Sequence, residues 1–89
     1  MNEGIRVYGA DWCGDTRRTL RQLDQLGLDY AFVDVDTDEE ASRKVIEFNN
    51  GKRRIPTVEL TSPMGETTLS VPSENELERE MDRLGLMVD

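Results

Sequence analysis

The sequence predicts an α/β fold, a four-stranded mixed sheet with helices on both faces, in the order β-α-β-α-β-β-α. Three observations support this. Strand-like and helix-like stretches alternate twice from the N-terminus, the pattern of a parallel strand pair joined by a right-handed crossover. Two strand-like runs then follow one another across a Pro/Gly turn, which adds an antiparallel hairpin. Finally, the helical stretches carry start or stop signals at their ends, which fixes where the chain changes direction.

I-R-V-Y-G-A (5–10) is short, β-branched and aromatic, and reads as a strand. The pattern then turns helical: Leu20, Leu23 and Leu26 share a face, with Arg17, Arg18 and Arg21 around it. Gly27 is the stop, and Leu28 is placed to pack back onto the last turn. Y-A-F-V-D-V-D (30–36) is the second strand. Thr37 opens T-D-E-E, a capping box in which Glu40 reaches back to the helix start. Ala41, Val45, Ile46 and Phe48 form the apolar side of that helix, and N-N-G (49–51) ends it. I-P-T-V-E-L (55–60) and T-T-L-S-V (67–71) are strands joined by T-S-P-M-G-E. Ser73 and Glu76 form a second capping box, and the helix it starts points Leu77, Met81 and Leu84 inward before Gly85-Leu86 stops it.

The chain of 89 residues is expected to form a single domain over 1–89, with hydrophobic and charged contents of 36% and 34%. One cysteine cannot close an intramolecular disulfide. The absence of histidine excludes a Ser–His–Asp triad, a Cys–His pair and any histidine metal site. A net charge of −8 argues against a nucleic-acid partner, which needs a basic face. No apolar run has the length of a membrane span, and M-N-E-G-I-R does not resemble a signal peptide. The expectation is a cytoplasmic monomer with no membrane partner. D-V-D-T-D-E-E (34–40) begins like a calcium loop, but such a loop wants Gly at 39 and Glu at 45 and finds Glu39 and Val45. A strand running into a capped helix accounts for those acids, and no metal is expected.

The chemistry centres on D-W-C-G-D-T (11–16). Cys13 lies between a strand and a helix, where free N–H groups and the positive helix end favour a thiolate. Arg17 can add to that effect, and Thr16 can offer its hydroxyl to the sulfur. Asp11 and Asp15 oppose it by like-charge repulsion. The net expectation is a moderately depressed pKa. The carboxyl edge of the sheet is also where ligands of α/β folds bind.

Taken together, strand–W-C-x-x–helix, R-x-I-P-T-V opening a later strand, a short hairpin and an N-capped helix resemble the glutaredoxins of the thioredoxin superfamily. The likeness covers essentially the whole chain and is closest to small mycoredoxin-type members. It implies a thioredoxin fold, with Ile55–Pro56 a cis peptide and Pro56 packed against Cys13. It also implies that Trp12 flanks the thiol and that the Ile55 backbone offers hydrogen bonds to glutathione or a peptide. Arg53 would take the glycyl carboxylate of glutathione, and Ser73 and Glu74, opening the last helix, would receive its γ-glutamyl end. Where relatives carry C-x-x-C or C-x-x-S this chain has C-G-D-T, and a common lysine is Ala10. The usual Gly-Gly-x-Asp turn is Val71-Pro72-Ser73-Glu74. Lys52, Arg53 and Arg54 with Arg17, Arg18 and Arg21 are expected to supply a compensating basic lip.

With one thiol, the resemblance implies a monothiol enzyme: Cys13 takes the glutathionyl group from a glutathionylated protein, and a second glutathione, the co-substrate, releases it. Two other readings stand beside this one. One is a redox-silent binding module. The other is a dimer bridging a [2Fe–2S] cluster with glutathione, although its C-G-F-S motif is absent.

Overall fold

The computed structural model describes residues 4–87, so the first three residues of M-N-E-G-I-R lie outside it. The elements are β1 (Gly4–Gly9), α1 (Gly14–Gln25), β2 (Ala31–Asp34), α2 (Glu39–Phe48), β3 (Thr57–Ser62), β4 (Gly65–Ser70) and α3 (Glu74–Arg83). The sheet order is β2-β1-β3-β4. β1 and β2 run parallel, while β3 is antiparallel to both β1 and β4. This is the element order of a thioredoxin fold.

Strand alternation divides the apolar residues between two layers. Ile5 and Val7 of β1, with Val58 and Leu60 of β3, face a core closed by Leu23 of α1 and Leu77, Met81 and Leu84 of the α3 segment. Tyr8 points the opposite way and joins Val35, Ala41 and Val45 in a smaller cluster under α2. Leu23, Leu60, Leu77 and Met81 are completely buried, and truncating any of these to alanine would cost about 2–5 kcal/mol. Two helices therefore cover one face of the sheet and one covers the other.

Both Gly-Leu stops form as the sequence indicates. Gly27 (φ 71°) and Gly85 (φ 72°) enter the left-handed region. The N–H of Leu28 then donates to the Leu23 carbonyl at 3.1 Å, and that of Leu86 to the Met81 carbonyl at 2.8 Å. Each is the long closing bond of a Schellman motif, and it satisfies a carbonyl the helix leaves free.

Elsewhere the details differ from the sequence reading. The second strand is shorter than 30–36, because the Asp34 carbonyl accepts from Thr37 and Asp38 N–H and turns the chain. The cap of α2 is Asp38, not Thr37: Asp38 Oδ1 accepts the Ala41 N–H at 3.0 Å, whereas the Thr37 hydroxyl is directed to the Asp34 carbonyl. Phe48 faces outward, 47% exposed, and Asn49, in phase with the buried Ala41 and Val45, is buried instead. In α1 the buried face is Thr16, Thr19, Gln22 and Leu23, while Leu20 and Leu26 are only half-buried. The last two strands extend to Ser62 and back from Gly65, which leaves only Pro63-Met64 in the turn.

The shifted cap is directly testable. Asp38→Ala should destabilise the protein by about 1 kcal/mol. Thr37→Ala should cost clearly less, as read from urea denaturation midpoints. Equal losses, or a larger one at position 37, would restore Thr37 as the cap.

Candidate active site

β1 ends at Gly9, and the chain crosses Ala10–Trp12 before α1 begins. Cys13 is the residue that caps α1, in extended conformation (φ −83°, ψ 122°). Its sulfur therefore sits over the first turn, whose N–H groups have no partner inside the helix. The thiol is half-buried. Across the groove, the Ile55–Pro56 peptide bond is cis, and the Ile55 carbonyl lies 3.9 Å from Cys13 Sγ.

Thr16 is fully buried one turn into α1. Its hydroxyl oxygen accepts the Ala10 N–H at 3.4 Å, which leaves the hydroxyl proton to be donated to the sulfur. Burial of Cys13 pushes its pKa up, but the hydrogen bond from the Thr16 hydroxyl pulls it down. The backbone N–H groups of Thr16 and Asp15 reinforce that pull, and the Asp15 charge opposes it. The net result is a thiol below its ordinary range. The lowering thus comes from hydrogen bonds at the helix start rather than from Arg17, and the opposing charge is that of Asp15 rather than Asp11.

The loop bearing Pro56 is held from two sides. Asn49 Nδ2 donates to the Val45 carbonyl at 2.7 Å and to Thr57 Oγ1 at 3.1 Å. Thr57 Oγ1 in turn donates to the Arg54 carbonyl at 2.8 Å. From the far side the Val71 N–H donates to the Pro56 carbonyl at 2.8 Å. Neither Asn49 nor Thr57 stands out as a site residue in the sequence. The signal that could have found Asn49 is its spacing of four from Val45 and eight from Ala41, on the inner face of α2.

Of the six cations expected to form a basic lip, Arg17, Arg21, Lys52 and Arg54 are exposed. Arg53 NH2 is 2.6 Å from Asp36 Oδ1, and Trp12 Nε1 donates to Asp36 Oδ2 at 2.7 Å. Arg18 lies 3.9 Å from an Asp15 carboxylate oxygen and donates to the Pro72 carbonyl at 3.2 Å. Two of the six cations are therefore already engaged. Ser73 caps α3 by accepting the Glu76 N–H at 3.1 Å, and Glu74 is the first helical residue.

The glutaredoxin family model matches residues 5–61, from β1 through most of β3 and including both Cys13 and Pro56. The chain belongs to the glutaredoxin family. Mycoredoxin 1 of Corynebacterium glutamicum is 44% identical over 54 residues, which is 61% of this chain and 66% of that protein, just under two thirds of its length. The glutaredoxin from Archaeoglobus fulgidus superposes with a TM-score of 0.64 at 26% identity, covering 86% of this chain and 84% of that one. The buckwheat glutaredoxin–glutathione complex shares the fold, with a TM-score of 0.61 at 19% identity over 96% of this chain and 82% of its own.

In this glutaredoxin, the close fit of α1 against β1 depends on Gly9. A β-carbon there would lie 2.5 Å from Thr16 Oγ1 and 2.6 Å from its Cγ2. Thr16 is β-branched and stiff, so it cannot swing aside cheaply.

Two outcomes follow. The rate of Cys13 alkylation against pH should rise to a plateau with its inflection below the free-cysteine value of about 8.5. An inflection at or above that value would mean that burial and Asp15 prevail. Gly9→Ala should cost about 1–3 kcal/mol by overpacking and move the inflection upward as Thr16 is displaced. Unchanged stability and inflection would show that the contact is not restrictive.

Proposed function

We propose that this glutaredoxin performs thiol–disulfide exchange through Cys13 alone, with glutathione as co-substrate. Supporting this is one arrangement: a helix-capping thiol of lowered pKa, with a buried Thr16 hydroxyl where a dithiol enzyme has its second sulfur. Family membership supports the exchange chemistry in general. That a related fold has been determined as a glutathione complex supports the choice of thiol.

The Cys13 thiolate attacks the glutathione sulfur of a mixed disulfide. A Cys13–glutathione disulfide forms, the original S–S bond breaks, and the target leaves as a thiolate that takes a proton from solvent. A second glutathione thiolate attacks that sulfur, giving oxidised glutathione and returning Cys13 as thiolate. Thr16 has no sulfur with which to expel the adduct, so an external thiol is required. In this reading Trp12 and the Ile55–Pro56 loop flank the bound thiol, and Arg53 meets the glycyl carboxylate. The helix end at Ser73 and Glu74 meets the γ-glutamyl group, with backbone N–H groups suited to a carboxylate. A bridging [2Fe–2S] cluster would draw Cys13 from each of two copies and two further thiols from outside. The C-G-F-S motif of such proteins is absent, since Asp15 and Thr16 stand where Phe and Ser would be, and this disfavours that reading.

Oxidised glutathione should leave a single glutathionyl group on the protein, visible by mass and absent from Cys13→Ser. In Thr16→Cys the adduct should become transient, and the protein should end two hydrogens lighter. Their separation in the first turn suits a disulfide span of roughly 4.4–6.8 Å between α-carbons. Failure of the wild-type protein to form any adduct would overturn the exchange reading and leave a redox-silent module. A persistent adduct on Thr16→Cys would show that residue 16 does not reach the sulfur.

A further inference from the structure

The Asp36 carboxylate ties together two residues that flank Cys13 from different parts of the chain. Its Oδ2 accepts the Trp12 indole N–H at 2.7 Å, and its Oδ1 lies 2.6 Å from Arg53 NH2. Trp12 directly precedes the cysteine, and Arg53 stands two residues before Ile55, whose carbonyl faces the sulfur. Trp12 is 62% exposed and Arg53 is at the surface, so the carboxylate rather than packing orients them. The hydrogen bonds from Arg53 and then Trp12 hold the Asp36 pKa below the ordinary carboxylate range, so it is ionised at neutral pH.

A free arginine side chain samples many rotamers, and a ligand that needs it must freeze it on binding. Asp36, itself fixed by the indole, removes that freedom beforehand. The contact uses NH2 of a group with five donors, so others remain for a second carboxylate. Arg18 is held by Asp15 and the Pro72 carbonyl. Arg17, Arg21, Lys52 and Arg54 are exposed, and they add positive charge that attracts an anion without giving it direction. The anchored Arg53 supplies the direction. Asp36 also repels a ligand carboxylate, but that repulsion acts across water, where salt screens it and the exposed cations offset it. Orientation is therefore the larger effect.

We propose that Asp36 is a positioning residue for glutathione, one that presets the Arg53 guanidinium to meet the glycyl carboxylate beside Cys13. This deepens the exchange reading by naming the residue that prepares its substrate site, and it rests on that reading for its biological role. Measuring binding without exchange separates the two.

S-methylglutathione keeps both carboxylates of glutathione and has no thiol or disulfide to exchange. Its binding can be followed by amide NMR titration. Asp36→Ala should raise the dissociation constant about 3–10-fold, less than the loss of a whole charge-assisted hydrogen bond. Arg53→Ala should raise it at least as much. The double variant should bind no more weakly than Arg53→Ala, because Asp36 acts through Arg53. In the same spectra the indole N–H resonance of the single tryptophan should move in Asp36→Ala, and Cys13 should react with neutral iodoacetamide at close to the wild-type rate. An Asp36→Ala protein that binds S-methylglutathione as tightly as wild type would overturn the proposal, and tighter binding would mean that repulsion prevails. A further loss in the double variant would also overturn it, since Asp36 would then act by another route. So would a wild-type protein that does not bind S-methylglutathione, and exchange through Cys13 would still be judged by the glutathionyl adduct. If the binding losses are found but oxidised glutathione leaves no adduct, the exchange reading fails and the assignment of Asp36 stands.

Discussion

The buried Thr16 hydroxyl links the end of the sheet to the start of α1 and to the sulfur, and the site's chemistry depends on that linkage. The Ala10 N–H donates to Thr16 Oγ1, which orients the hydroxyl so that its own proton is available to Cys13. The side chain fits only because Gly9 has no β-carbon. Burial gives the bond its strength, since in a poorly hydrated position a hydrogen bond to a charged sulfur is worth more than one exposed to water. The same burial penalises the thiolate, so the lowered pKa is a difference between opposing effects. The hydroxyl stands three residues after the cysteine and favours its thiolate.

A second set of bonds places the opposite wall of the groove. Asn49, on the last turn of the α2 face, reaches Thr57, which reaches the Arg54 carbonyl, so the end of α2 fixes where the proline loop begins. Val71 fixes its other side from beyond β4. Val71 holds φ at 44°, a conformation that a β-branched residue rarely adopts. The loop bond to Pro56 helps hold it there, and strain of this kind concentrates at functional sites. Cys13 and Ile55 thus meet through contributions from β1, α1, α2 and the loop after β4, well separated in sequence.

Much of this was legible in the sequence because local rules suffice for it. The Gly27-Leu28 and Gly85-Leu86 stops, the Ser73 cap, the hairpin and the order of elements each follow from residues within a few positions of one another. The position of Cys13 follows from the strand-to-helix change around it. What was not legible depends on competition or distance. Thr37 and Asp38 are both good capping residues, and the Asp34 turn decides between them. Thr16 and Thr19 occupy the inner face of α1 at positions where leucines were the obvious candidates. Arg53 is not a free cation of the basic lip because Asp36, 17 positions away in sequence, folds against it. Charge runs show which residues are near one another along the chain, but not which counter-ions the fold brings to them.

The central claim is that the Thr16 hydroxyl, acting with the backbone N–H groups of the helix start, is the largest single influence that makes Cys13 acidic. The ultraviolet absorbance of the thiolate, followed through a pH titration of wild type, Thr16→Ser and Thr16→Val, tests it most directly. Serine keeps the hydroxyl, whereas valine keeps the shape and removes it, leaving the Ala10 N–H without its acceptor. The account predicts that Thr16→Ser titrates close to wild type and that Thr16→Val titrates at clearly higher pH. A Thr16→Val protein that stays folded and titrates at the wild-type pH would contradict it.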